Sequence, residues 1–258
     1  MVTTIKARDA IDMDVRNTLV MMELFQKQYS FRAVVFSRSP SVIIFCREHH
    51  ITCITDYASN PFHMPLIRFF LLQAQHLFPS RYYGYVNSDI LLSSSLFAVL
   101  SQCTALQKQG TIRKRFVIAG RVRNVDDSRI PDLLHTNLSI PAYESLLLSM
   151  TDNKKARLRH HHSADYFVFS SSIDFTLFED AVIGRGRIDN YLMEIPDRQG
   201  GSLIDSSYKV LGIHQGLCGY KCHNRKRRQE YDDYNWNEKY VRLLQLGYGT
   251  LVTADYRL

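Results

Sequence analysis

The chain has 258 residues, 45% of them hydrophobic and 22% charged, so it can bury a sizeable core and is too apolar for a disordered chain. That length fits one large domain over residues 1–258, with a core from about residue 30 to residue 215 and a tail over 216–258 packing on it. The net charge of +7 and pI near 9.1 favour anionic partners, yet much of the excess lies in Lys154 to His162 and Lys221 to Arg228, which argues against a uniformly basic nucleic-acid surface.

The first fifteen residues carry charges every few positions and no apolar h-region, and no apolar run reaches the length of a membrane span. A soluble chain is expected, cytoplasmic by default. Phe31 to Phe36 reads as a buried strand, followed by a turn at Ser37 to Pro40 and a short helix from Ser41, and Ile51 to Thr55 reads as a second strand. Pro65 to Phe78 places Leu66, Phe69, Phe70, Gln73 and Leu77 at helical intervals behind a first-turn proline, which predicts a helix. Tyr82 to Leu92 combines aromatic and β-branched residues, a polar interruption and two leucines; it reads as a strand whose carboxyl end carries Asn87, Ser88 and Asp89. Ser93 to Ser95 are placed to cap a helix from Leu96 to about Gln107. Further strands are expected at Phe116 to Ala119, Asp165 to Phe169, Asp180 to Ile183 and from Leu203 to a terminus at His214, with an amphipathic helix at Pro141 to Met150. This alternation implies an α/β fold with parallel strands joined by helices. Cys46, Cys53, Cys103, Cys218 and Cys222 are scattered and odd in number, so free thiols are expected.

Asp89 stands out because open α/β sheets bind ligands at the carboxyl ends of their strands. A carboxylate there can hold Mg²⁺ or Mn²⁺, whose remaining positions take diphosphate oxygens. The alternative is an Asp that merely caps the following helix.

The runs YGYVNSDILL, RFVIAGR, DYFVF, VIGRGRIDNYL and LIDSSYKVLGIHQ, in this order and spacing, resemble a poorly characterised family of glycosyltransferase-like proteins of the GT-A, nucleotide-diphospho-sugar transferase fold. The resemblance covers roughly Val34 to His214 and returns in GYGTLVTADYRL at the C-terminus. It implies a Rossmann-like domain with a mostly parallel central sheet and helices on both faces. It also implies a divalent cation, Mn²⁺ or Mg²⁺, a nucleotide-diphosphate sugar as donor and an acceptor of unknown identity. Asn87, Ser88 and Asp89 match the DxD-type motif, with an amide, a weaker ligand, at the first position. Asp189 matches the acid beside the acceptor, His214 the C-terminal metal-ligating histidine, and Arg16 and Asn17 an early motif near the nucleotide.

The chemistry suits these residue types. Sugar transfer leaves a diphosphate whose negative charge a metal held by Asp89 and His214 can neutralise, and in an inverting enzyme a carboxylate such as Asp189 takes the proton of the attacking hydroxyl. Gly184 and Gly186 would let backbone approach the donor, while Arg185 or Arg187 could supply positive charge to phosphate. Each has a structural alternative: an ion pair between Arg187 and Asp189, an ordinary turn at Gly184 to Gly186, a satisfied histidine at His214. A fold that keeps the pocket without turnover is the competing function. Three consecutive histidines, His160, His161 and His162, would aim in different directions on a strand or helix, which makes joint ligation of one ion awkward. Cys218, Cys222 and His223 lack the second half of a zinc finger, NRKRRQ reads as a solvated basic loop, and Asn137 to Ser139 is a glycosylation sequon.

Overall fold

The computed structural model describes residues 1–6, 10–126, 129–134, 136, 138–152, 156–216, 235–241 and 249–258. Its strands are β1 (Val2–Thr4), β2 (Val34–Phe36), β3 (Thr52–Ile54), β4 (Tyr82–Val86), β5 (Ile90–Leu92), β6 (Phe116–Gly120), β7 (Arg123–Val125), β8 (Tyr166–Ser170), β9 (Ser202–Asp205), β10 (Gly212–Gln215) and β11 (Tyr256–Arg257). The helices are α1 (Met13–Gln28), α2 (Pro40–Glu48), α3 (Ile67–Leu77), α4 (Ser95–Lys108), α5 (Ile140–Thr151) and α6 (Ile188–Arg198). Eight strands form one sheet in the order β11-β9-β6-β8-β4-β1-β2-β3, and β5-β10-β7 form a second, small one. In the large sheet β8 alone runs antiparallel, to both β4 and β6; the other pairings are parallel.

Alternation along the strands builds a core on each face, as the period of two requires. Val35, Phe116, Ile118, Tyr166 and Val168 face one cluster with Leu19, Met22 and Phe25 of α1, Val42 and Cys46 of α2, Leu96 and Val99 of α4, and Tyr143 and Leu147 of α5. Val34, Phe36, Val117, Ala119, Phe167 and Phe169 face the other with Ile67, Phe70 and Leu71 of α3 and Tyr191, Leu192 and Ile195 of α6. Helices therefore cover both faces of a mostly parallel sheet, the architecture expected. No helix among the described residues is long and apolar enough to cross a membrane.

Several local expectations are corrected. The N-terminal stretch, for which no element was expected, supplies β1 near the middle of the sheet and the whole of α1. Tyr82 to Leu92 is two strands: the chain turns at residues 87–89, with the Asn87 N–H donating to the Asp165 carbonyl, and β5 leaves for the small sheet. Leu203 to His214 likewise divides into β9 and β10, so His214 lies inside a strand. Asp180 to Ile183 forms only an isolated bridge, Val182 to Leu66, because side chains take its backbone groups: Asn237 bonds both the N–H and the carbonyl of Val182, and the Trp236 indole donates to Asp180. No serine hydroxyl caps α4; the Ser94 N–H donates instead to the Glu144 carboxylate. The tail does more than pack on the surface, since β11 extends the sheet beside β9.

Candidate functional site

Parallel strands end on one edge of the sheet, and an antiparallel strand begins there. Tyr166, the first residue of β8, is the register partner of both Val86 and Gly120, the last residues of β4 and β6. Asp165 thus arrives beside the 87–89 turn. The small sheet adds His214: β10 is its central strand, and His214 pairs with Ile90 on one side and Asn124 on the other. The Gln215 N–H donates to the Asp89 carbonyl, which holds the two segments in register.

Two of the expected metal ligands meet directly. His214 Nε2 lies 3.2 Å from Asp89 Oδ2, while Nδ1 faces the Gly216 carbonyl at 3.3 Å. A backbone carbonyl on the far nitrogen is the usual way of aiming a ligating imidazole. Burial opposes charge on His214, but the hydrogen bond and charge of Asp89, with the charge of Asp165, outweigh it and hold the imidazole above its ordinary range. Ser88, Asp89 and His214 line a cavity of about 540 Å³, together with Lys6, Asp14 and Gln215. That is within the size range of small-ligand sites.

Asp165 is the residue that sequence reasoning passed over, having taken it only as the start of a strand. Its carboxylate is 3% exposed and accepts from Arg159 Nη1 at 2.7 Å and from Asn87 Nδ2 at 3.1 Å. Burial raises it above the usual carboxylate range and the Asp89 charge adds to that, against the pull of Arg159, His214 and Asn87. Asn87 in turn accepts from the Tyr85 hydroxyl at 2.6 Å. The Tyr85 phenol is held neutral, foremost by burial and then by the charges of Asp189, Asp89 and Asp165. Asn87 is therefore engaged at both ends of its side chain. Its amide joins Tyr85 to Asp165, and a carboxylate in its place would have no N–H to offer the buried acid.

Asp189, in the first turn of α6, is half-buried and accepts from the Ala164 N–H. Burial and the charge of Asp165 lift it well above the ordinary range, opposed by Arg159 and that N–H. The acids Asp89, Asp165 and Asp189 thus form one electrostatic group around Tyr85.

The remaining expectations fare differently. Asn17 is 0% exposed, donating to Pro131 and Gln215 and accepting from the Leu133 N–H, so it clamps protein segments. Arg16 pairs with Asp132. Gly184, Arg185 and Arg187 lie in the loop entering α6 and do not line the cavity that holds Asp89 and His214; Arg185 bends back to the Gly184 carbonyl, and Arg187 takes a left-handed conformation. The three histidines, expected to diverge, converge because they occupy a turn and neither a strand nor a helix: their rings are 3.8, 5.0 and 4.4 Å apart. Cys46, Cys53 and Cys103 are free thiols. Cys218, Cys222, His223, the NRKRRQ run and Asn137 lie outside the described residues.

The implied divalent cation can be set against the donor atoms present. Among the described residues, Asp89 Oδ1, Asp165 Oδ2 and Asn124 Oδ1 are buried acceptors without hydrogen-bond partners. An unmet buried polar atom costs about 1–3 kcal/mol, and of these three residues Asp89 and Asp165 also feel each other's charge. The 3.2 Å between His214 Nε2 and Asp89 Oδ2 is close to the roughly 3 Å separating neighbouring ligands of an octahedral ion with bonds of about 2.1 Å.

No protein-family model and no curated protein matches the sequence. Among solved structures, the chain is similar to HddC from Yersinia pseudotuberculosis, at 10% identity and a TM-score of 0.45, over 84% of this chain and 93% of that one.

Proposed function

We propose that this chain is a metal-dependent glycosyltransferase that moves a sugar from a nucleotide-diphosphate donor to an acceptor. The observation that carries the reading is the approach of His214 to Asp89 beside orphaned acceptors, at the ligand-binding edge of an α/β sheet. Asp89 and His214 would hold Mn²⁺, which as a Lewis acid would neutralise charge on the departing diphosphate. The cavity beside them takes the donor, with the Ser88 hydroxyl and the Lys6 charge on its lining. Asp189 is the base for the acceptor hydroxyl. Its burial and the Asp165 charge make it a stronger proton acceptor than a solvated carboxylate, and a base is most effective when its pKa approaches the working pH. Arg159 and Asn87 are positioning residues that act through Asp165.

The test is a panel of UDP- and GDP-sugars with Mn²⁺, read by calorimetry and by donor hydrolysis. Binding that needs Mn²⁺ and is lost in Asp89→Ala, with Asp189→Asn binding donor but losing turnover, is the expected outcome. Folded protein that binds no donor in the panel would overturn the reading.

A second reading is a pocket that binds without turnover. The commitment of Asn87 to Tyr85 and Asp165 favours it, because the first position of the motif then adds no ligand. It predicts donor binding that persists without metal and in Asp89→Ala.

A further inference from the structure

His160, His161 and His162 have no part in the reaction proposed above. Each offers one ring nitrogen, and the three atoms lie within 4.8 Å of one another. Their backbone is fixed from several sides. The Ser163 N–H donates to the His160 carbonyl at 2.9 Å, closing the turn, and the Leu251 N–H and Thr250 hydroxyl donate to the His161 carbonyl at 3.0 and 3.2 Å. Just outside the turn, Arg159 is bound to Asp165 and the Ala164 N–H to Asp189. The rings are thus presented by chain that is already ordered, so ligation does not bear the entropy cost of organising a loop.

We infer that His160, His161 and His162 form a three-histidine site for a borderline transition-metal ion, with Zn²⁺ as the test ion, separate from the cation site at Asp89. Neutral imidazole is a good zinc ligand, and the 4.8 Å that bounds these nitrogens compares with about 3.4 Å between neighbouring ligands of a tetrahedral zinc with bonds of about 2.1 Å. Three protein ligands with a fourth position left to an outside molecule is the arrangement of open zinc sites. The surroundings bear on that fourth ligand. Arg121 acts electrostatically on His161 and Arg187 on His162. Their charges oppose a bare cation and favour an oxyanion, a phosphate or carboxylate, in the open position. His160 and His162 are exposed, which leaves that position open to solvent.

Zinc titration of the full chain against a chromophoric chelator tests the site without reference to transferase activity, so its failure would leave the function proposed above standing. Wild type should bind one more equivalent of Zn²⁺ than His160→Ala/His162→Ala, and Asp89→Ala should keep that equivalent. His161→Ala should weaken it by more than about a hundredfold, beyond the effect of losing an outer-shell partner. With Co²⁺ in place of zinc, the visible bands of the site should shift on adding phosphate. These changes fall in a turn, and thermal melts report whether the variants remain folded. A double variant equal to wild type in zinc stoichiometry and affinity would overturn the inference. Loss of the same equivalent in Asp89→Ala would also overturn it.

Discussion

Removing Arg159 tests how the acid group at the sheet edge is held together. Asp165 is 3% exposed, and its guanidinium partner sits at 2.7 Å with 18% of its own side chain exposed. Deleting one member of a buried pair costs about 3–5 kcal/mol because the other charge is left behind. Partial access of water to Arg159 places Arg159→Ala near the lower end, about 3 kcal/mol at pH 7.5. The sign of the pH dependence follows from Asp165. Its folded-state pKa is raised above the ordinary carboxylate value, by burial first and by Asp89 next, so the folded protein binds this proton more tightly than the unfolded chain does. The stabilisation from proton binding is complete below that value and disappears as pH rises through the folded pKa. Loss of Arg159 raises that pKa further, so the deficit in Arg159→Ala should be largest near neutrality and shrink towards pH 5. Asp165→Asn in the same background should recover much of the loss, since an amide needs no counter-charge. Urea unfolding at the two pH values measures all of this. A cost below about 1 kcal/mol at pH 7.5, or no recovery in the double variant, would refute the role given to the pair.

Asn87→Asp restores an acid to the motif but places it against Asp165 without the N–H that now bridges them at 3.1 Å. It should lower stability at pH 7.5 by about 1–3 kcal/mol and do so less in acid, as read by denaturant midpoints. Gly249 has φ +69°, and a Cβ there would stand 2.6 Å from the Asn190 carbonyl oxygen. Gly249→Ala should therefore cost more than the roughly 1–2 kcal/mol of a left-handed residue alone, and a thermal melt no lower than wild type would contradict the packing described. Arg187 is exposed with φ 69° at the entrance to α6, so Arg187→Gly should leave the melting temperature equal or higher while removing positive charge beside His162. A clear drop in stability would mean that its side chain carries a contact beyond that charge.

The parts of the fold written as local pattern were legible. Pro65 to Phe78 shows a helical apolar stripe, and α3 covers Ile67–Leu77; Phe116 to Ala119 is a short apolar run between turns, and β6 covers Phe116–Gly120. What depended on partners distant in the chain was not. The first residues carry charges every few positions and suggest no element, yet Val2–Thr4 is held because Val34 and Tyr85 pair with it on either side. Asp180 to Ile183 has the composition of a strand and fails to become one because Asn237 and Trp236 occupy its backbone groups. The histidine run could be judged only by the geometry of a strand or helix, and the turn it occupies is closed by Ser163 and held by Thr250 and Leu251.

The site divides along the same line. Asp89 and His214 could be proposed from positions near strand ends and from the resemblance of their motifs. Asp165 could not, since a residue at the start of a strand reaches the ligand-binding edge only if that strand runs against its neighbours. The direction of β8 is invisible in DYFVF, whose alternation is the same read either way. Once the reversal is known, the identity of Asn87 follows: a buried carboxylate at 165 requires a donor, and an amide at 87 supplies one while its oxygen accepts from Tyr85. The amide at 87 thus answers to an acid that arrives from the antiparallel strand.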